Sequence, residues 1–570
     1  MPTTTRVLSC INCRMRKVAC DRTKPACKRC SVSGKECGYR ARKYKKAPRP
    51  SRVTELEARL GMSMPCVDQG EAETEDSVLE EEEEIAGWKD LNYPRFLKLE
   101  RFQSLPIAEP NLLGGQEALP DARLQQHLYH VYFQQVHPSA PMIHKSRFSQ
   151  ALNGSPNQTP PLALRYAMWA VAASETSEHQ DIAEKLYTIS RKHAESLEME
   201  GPVKPFLSTS SAQCWYLLAT YEASRAYFTR AWMSVGRCVR LVQMMALHRL
   251  DSPHDEEYNL PQASSWAETE ERRRTFWAAY FADRWASTIS GHPLSIKDDH
   301  ICTHLPSSEE AFEYELEEVG ISLQQVDGVE IIPYLSLFAG SVFTTAMLGR
   351  YLRQIHLQKH RVTANADGDY WDTHRQIDTS ISHVFMSLPA SLRPSPVAND
   401  IQVVFLHLNL HVTVILLHQM ASAKASKHRL DPSICQRSFH RCLVSSVEIK
   451  NIIYSVKDLK TFPVHIWTSF CIYVAAGVFI DDLRTTRQFS SSSVDLALLL
   501  IALRVIGARR PIMDFFARKL ESDISRSGIG SYIPADLREI ARISIASRTA
   551  SSGGSSRDAY CGMPDEGVYK

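Results

Sequence analysis

The sequence predicts two unlike parts: a small metal-organised domain at the N-terminus, followed by a large all-α helical domain. Three observations lead there. Six of the fourteen cysteines fall between Cys10 and Cys37, in two copies of one spacing. Beyond about Pro120, apolar residues recur at three- and four-residue steps through segments too long for strands. No alternation of strand-like and helix-like runs appears that would build a parallel sheet. With 570 residues, 44% of them hydrophobic, the chain can supply a sizeable core.

Charge divides along the chain. The overall balance is +2, yet residues 1–52 hold 16 Lys/Arg against only Asp21 and Glu36, so this stretch carries +14 and the remainder −12. The other eight cysteines are scattered over 533 residues, which fits a reducing compartment with one local metal site rather than a disulfide framework. The first residues show no basic end followed by an apolar core, so no secretory signal is expected. The most apolar runs, around Ser469–Ile480 and Val494–Ile506, are shorter than a bilayer span, and the second carries Asp495 and Arg504. A soluble intracellular protein without a membrane partner is expected.

The six cysteines, Cys10, Cys13, Cys20, Cys27, Cys30 and Cys37, are separated by two, six, six, two and six residues. Each half offers two thiols at i and i+3 and a third after six residues. Thiolates are soft, anionic ligands suited to tetrahedral zinc at about 2.3 Å. One zinc takes four ligands, so either two cysteines are idle or two zincs share two thiolates. The twofold repeat favours sharing, hence two Zn2+ per chain. The small negative excess of such a cluster would be offset by Arg14, Arg16, Lys17, Arg22, Lys24, Lys28 and Arg29. A module this small cannot fold by burial alone, so metal binding would supply folding free energy on the order of 10 kcal/mol.

The run C-x-x-C-R-x-R-K-x-x-C-D-x-x-x-P-x-C-x-x-C, with Cys37 six residues later, resembles the fungal binuclear zinc cluster of the zinc-six-cysteine DNA-binding regulators. The resemblance implies that Cys10 and Cys27 bridge the two ions while Cys13, Cys20, Cys30 and Cys37 are terminal ligands. It matches Lys17 to the lysine that reads a C-G-G triplet in the major groove, Arg14 and Arg16 to positions that help place the short helix expected to begin near Cys13, and Pro25 to the loop proline joining the halves. The residues agree: guanine N7 and O6 accept hydrogen bonds from Lys or Arg, whereas phosphate contacts give affinity without sequence information. A zinc module for protein or RNA contact, or for metal storage, is the alternative, and it does not require the basic insert.

Residues 1–40 are thus read as the cluster domain. A basic linker follows at 41–52, and the seven basic residues from Arg40 to Arg52, among them Arg42, Lys43, Lys45 and Lys46, suit the phosphate backbone or a nuclear-import signal. Val53, Leu56 and Leu60 at i, i+3 and i+7 begin a coiled-coil seam, 53–64, where members of the resembled family often dimerise. The seam fails at Gly61 and Pro65, so a homodimer is only a candidate. Residues 65–119 read as an acidic, disordered linker with nine acids between Glu71 and Glu84. Trp88, Leu91, Tyr93, Phe96 and Leu97 beyond them resemble acidic-aromatic activation segments, and a plain solvating spacer fits the same composition.

Helices are expected at Ala122–Val136, Leu162–Ser174, Ile182–Leu197, Ala212–Ala223, Tyr227–Arg249 and Trp266–Ile289. In the last, Glu268 faces Arg272 and Glu270 faces Arg274 at i, i+4. Further candidates are Pro333–Gln358, Tyr370–Met386, Val404–Leu416, Cys435–Ile453, Pro463–Asp481 and Val494–Lys519, the last broken or kinked at Pro511. Val404–Leu416 also alternates like a strand, and its length decides for helix.

This region resembles the fungal-specific transcription factor domain, the middle homology region. The matching words are Y-F-Q-Q-V-H-P with P-M-I-H from Tyr132 to His144, A-W-M-S-V-G-R to M-A-L-H-R-L-D from Ala231 to Asp251, and E-E-R-R-R-T-F-W-A-A-Y-F-A-D-R from Glu270 to Arg284. Family members commonly have Arg in place of His292 and Gly in place of Ala246. The resemblance spans roughly 120–420 and implies a regulatory domain, effector sensing included. Further helices at 421–546 would pack on it, and 547–570 reads as a disordered tail.

No catalytic site emerges. His407 and His411 lack the glutamate of an H-E-x-x-H arrangement and read as core histidines, Asp298, Asp299 and His300 as loop residues, and Cys214, Cys238 and Cys471 as inert buried thiols. Phosphate-loop and nucleophile-elbow motifs are absent from the sequence. The reading is a nuclear, sequence-specific transcription factor of RNA polymerase II genes. It would bind CGG-containing double-stranded DNA, work with transcription machinery or co-regulators, and govern a fungal metabolic or secondary-metabolite gene cluster. The rival is a zinc-thiolate metal-handling or redox-sensing protein.

Overall fold

The computed structural model describes residues 119–155, 159–199, 206–252, 260–327, 335–360, 366–394, 400–508 and 510–534, and in the N-terminal module Cys10, Cys13, Arg16, 18–23, 25–34 and Cys37. The seam candidates Val53, Leu56 and Leu60, the acidic stretch before residue 119 and the tail lie outside these residues. The chain divides into two units, Met1–Leu79 and Glu80–Lys570.

In the first unit one short helix, α1 (Lys28–Val32), is capped by its own ligand candidate: the Cys27 thiol accepts the Cys30 N–H at 3.4 Å. Gly34, at φ +62°, turns the chain after it, a left-handed position that suits a residue without a Cβ.

Among its described residues the second unit is helical and contains no strand. Its helices are α2 (Ala122–Val131, continued by a π-helical turn, Tyr132–Val136), α3 (Lys145–Leu152), α4 (Leu162–Glu175), α5 (Gln180–Met199), α6 (Thr209–Ser224), α7 (Phe228–Met244) and α8 (Trp266–Ser290). They continue as α9 (Glu309–Tyr314), α10 (Leu337–His360), α11 (Ala366–Ser387), α12 (Ile401–Lys427), α13 (Pro432–Ser455), α14 (Thr468–Thr486), α15 (Ser491–Gly507) and α16 (Pro511–Ser527). Hairpins α4–α5, α6–α7 and α12–α13 pack in sequence, α14 to α16 close the far end, and α8 touches α6, α7 and α10. The break at Pro511 is complete: proline takes the first turn of α16, where its missing N–H costs nothing. Helices α3 and α9 were not expected from the sequence.

The helix α12 runs eleven residues past the expected Leu416. It is long and apolar enough to cross a bilayer, but 89% of its most apolar window is buried inside the unit, so its hydrophobicity serves the core.

The helix α8 organises the middle. Ser265 caps its start by accepting the Glu268 N–H at 3.2 Å, while the Glu268 carboxylate accepts the Ser264 N–H at 2.9 Å. Gly291, at φ +70°, ends it. Both expected i, i+4 pairs form, Arg272 to Glu268 at 2.6 Å and Arg274 to Glu270 at 2.9 Å. The second is no surface pair, because Glu270 and Arg274 are both 0% exposed. Glu270 also accepts from Arg273 and, at 2.9 Å, from the Ser307 N–H; Arg274 donates to the carbonyls of Pro141 at 3.0 Å and Ser307 at 2.7 Å. Further along, Arg284 donates to Asp298 at 2.6 Å and to the Ile296 carbonyl at 2.9 Å. The charged word E-E-R-R-R…D-R therefore straps residues 296–309 onto α8 from inside. Breaking such a pair leaves an uncompensated buried charge.

Candidate metal centre

The four thiols Cys10, Cys13, Cys27 and Cys30 are buried together and Cys20 and Cys37 are half-buried against them. Sulfur separations are 3.8 Å for Cys10–Cys27, 3.8 Å for Cys10–Cys30, 3.7 Å for Cys13–Cys27 and 3.9 Å for Cys13–Cys30. A tetrahedral ion bonded to sulfur at about 2.3 Å places its ligands about 3.8 Å apart. The six sulfurs fall into two overlapping quartets, Cys10, Cys13, Cys20, Cys27 and Cys10, Cys27, Cys30, Cys37, each with its sulfurs within 4.8 Å of one another. Both quartets contain Cys10 and Cys27. The donor set fits two ions sharing those two thiolates, one with Cys13 and Cys20, the other with Cys30 and Cys37.

The backbone repeats the same symmetry. The Cys13 N–H donates to Cys10 Sγ at 3.4 Å as Cys30 does to Cys27, and the Cys10 N–H donates to Cys20 Sγ at 3.5 Å as Cys27 does to Cys37 at 3.3 Å. These amides favour thiolates. The Cys10 N–H foremost brings the Cys20 thiol down to about 7, and the Cys27 N–H lowers Cys37. Burial pushes Cys13 and Cys30 up, a direction that a bound cation would oppose.

Asp21, which stands in the C-D-x-x-x-P run without a role assigned to it there, is a working residue. Its carboxylate accepts the Lys28 N–H at 3.2 Å at the start of α1, and the Thr23 hydroxyl at 2.7 Å. It pins the loop between the halves, and the Thr23 bond foremost holds its pKa below the usual carboxylate range. The D-x-T pattern ahead of Pro25 is the signal that would have found it.

Of the residues read as DNA contacts, Arg16 is described and exposed, as are Arg22, Lys28 and Arg29 of the same module. The Val18 N–H bonds the Cys13 carbonyl at 3.1 Å just beside it. Arg14, Lys17, Arg40, Arg42, Lys43, Lys45 and Lys46 lie outside the described residues.

The other candidates take structural roles. His407 is buried, with Nε2 2.8 Å from the Leu392 carbonyl, and burial lowers its pKa and that of His411, the latter to about 3. Asp298 is paired with Arg284 and, at 3.0 Å, with Arg353. Burial raises the thiols of Cys214, Cys238 and Cys471, the first to about 12.

Comparison with known proteins agrees with the geometry. Residues 8–46 match the fungal Zn(2)-Cys(6) binuclear cluster domain and residues 129–388 the fungal specific transcription factor domain. The chain carries both domains of the fungal zinc-cluster transcription factors. These domains belong to transcription factors, not to enzymes, and a bound-zinc module is what the first of them implies. Relatives include the pigment biosynthesis transcriptional activator of Monascus ruber, 30% identical over 61% of this chain and 63% of that protein. The citrinin biosynthesis transcriptional activator of Monascus purpureus is 30% identical over 62% and 61%. The sorbicillinoid biosynthetic cluster transcription factor 1 of Penicillium rubens is 24% identical over 91% and 94%. The chain thus spans less than two thirds of the length of the first two. No solved structure matches. Ala246 stands at φ +56°, the left-handed region in which a Cβ is strained.

Proposed function

We propose that this chain is a nuclear, sequence-specific regulator of RNA polymerase II transcription that controls a fungal biosynthetic gene cluster. Its six cysteines would hold two Zn2+, with Cys10 and Cys27 common to both quartets. The observation that carries this is the pair of thiol quartets overlapping at those two residues, set in a module with +14 over its first 52 residues. Zinc supplies Lewis-acid charge that holds six thiolates in one place. The chain's own residues then do the recognition: Lys17 donates to guanine acceptors of a C-G-G site, Arg14 and Arg16 orient the reading turn, and Arg40, Arg42, Lys43, Lys45 and Lys46 follow phosphates. Val53, Leu56 and Leu60 pair two copies, so that two triplets are read. The relatives named above are activators or cluster factors, which supports a biosynthetic cluster as the target.

The test is a gel shift with the full chain on duplexes with and without C-G-G triplets, in zinc and in chelator. Zinc-dependent retention of the C-G-G duplex alone is expected. A chain that binds zinc but retains neither duplex would be a metal-handling protein instead.

A further inference from the structure

We propose that the helical domain holds a binding site for an uncharged, ring-bearing small molecule, in the cavity between α6, α7, α8 and the residues Ile466 and Trp467. The cavity measures about 300 Å3, enough for a molecule of roughly one or two fused rings. It exists because five facing positions are alanine. Ala219 and Ala223 stand one turn apart on α6, Ala282 and Ala286 one turn apart on α8, and Ala231 faces them from α7. Longer side chains at these places would fill the space.

The walls are aromatic and braced from behind. Trp467 stacks on the fully buried Trp285 with ring centres 5.7 Å apart and planes 7° from parallel. Phe228 leans on Phe515 at 5.2 Å, and Phe281 on Phe405 at 5.8 Å. A cavity whose walls are held by second rings keeps its shape without an occupant, which lowers the entropy lost on binding. At the mouth Trp232 is 39% exposed and its ring lies 4.9 Å from that of His292. The polar groups at the rim are His292, Ser290, Thr220 and Thr229.

The ligand's charge follows from what is missing. Among the described lining residues there is no Asp, Glu, Lys or Arg, in a domain that buries Arg274 and Arg284 completely elsewhere. An anion or cation entering here would lose its hydration with no compensating partner, whereas neutral rings gain stacking area and hydrogen bonds at the rim. Another, larger cavity among the described residues is of the opposite kind: its lining includes Asp378, His418 and Arg441, and Asp378 already pairs with both of the others. An occupant of the apolar cavity joins the α6–α7 hairpin to α8 and so stabilises their packing, an input to the regulator that is separate from its metal module. Failure of this proposal would leave the DNA-reading assignment untouched.

The test titrates the full-length, zinc-loaded chain with the neutral fluorophore N-phenyl-1-naphthylamine and with its anionic relative 1-anilinonaphthalene-8-sulfonate. Saturable binding of one neutral probe per chain is expected, with energy transfer from tryptophan, and binding of the sulfonate about tenfold weaker or worse. Ala286→Phe and Thr220→Leu fill the cavity from two helices, and each should weaken the neutral probe at least about tenfold while the cooperative melt is kept. If one variant fails to melt cooperatively, the other decides. Unchanged affinity in a folded filled variant, equal binding of the sulfonate, or no saturable binding at all would overturn the proposal.

Discussion

The two parts of this chain are stabilised by opposite kinds of core. Among the described residues of the N-terminal module the only buried side chains are Cys10, Cys13, Cys27 and Cys30, so its interior is sulfur and requires a cation. The helical part buries Trp169, Trp215, Trp277 and Trp285 outright, and even its interior charges come already paired, Glu270 with Arg273 and Arg274. One core depends on what is bound and the other on what is folded. Loss of the metal should therefore undo the first core without undoing the second.

The sharpest break between them is chelation. Stripping zinc from the full chain should unfold the module, as for any small domain folded by metal, and abolish DNA binding; the helical melt followed by far-ultraviolet circular dichroism should stay where it was. The converse is Glu270→Ala, which leaves Arg273 and Arg274 short of a partner in the interior. It should cost the helical part about 3 kcal/mol in denaturant unfolding and leave the zinc content unchanged. Acid supplies a third contrast. Burial, with Arg510 nearby, holds His465 down at about 3, while an unfolded histidine titrates near 6.5. Between those values the unfolded chain binds the extra proton, so stability falls as pH falls below about 6.5, by up to about 1.4 kcal/mol per pH unit for this group. Melts at pH 7 and pH 5 should show that loss, and His465→Phe should reduce it.

Smaller effects refine the division of labour. Lys17→Ala should reduce discrimination for C-G-G duplexes by about 1–3 kcal/mol without moving the helical melt, read from competition gel shifts. Ala246→Gly should raise the helical midpoint, by about 1 kcal/mol, because it removes the Cβ from a left-handed residue. No change in DNA discrimination is expected for that variant.

Much of this was legible in the residues themselves. Cysteine spacing announces the module because ligand number and tetrahedral geometry admit few arrangements, and long apolar periodicity announces the helices. Two helices escaped because they are short: α3 has eight residues and α9 six, and their starts are set by single caps, His144 Nδ1 for Arg147 N–H and Ser308 Oγ for Ala311 N–H. The interior position of Glu270 was hidden for another reason. A run of five charged residues reads as a solvated face until residues 296–309 fold over it, and that closure is a long-range event. The cavity was likewise invisible, since alanines at i, i+4 read as ordinary helix formers until α6, α7 and α8 are brought face to face.

The most direct test of the account counts metal. Native mass spectrometry of the zinc-loaded full chain should show two zinc ions per chain, one for each of the two thiol quartets that overlap at Cys10 and Cys27. A chain that saturates at one zinc, with two of the six cysteines still open to alkylation, would contradict it.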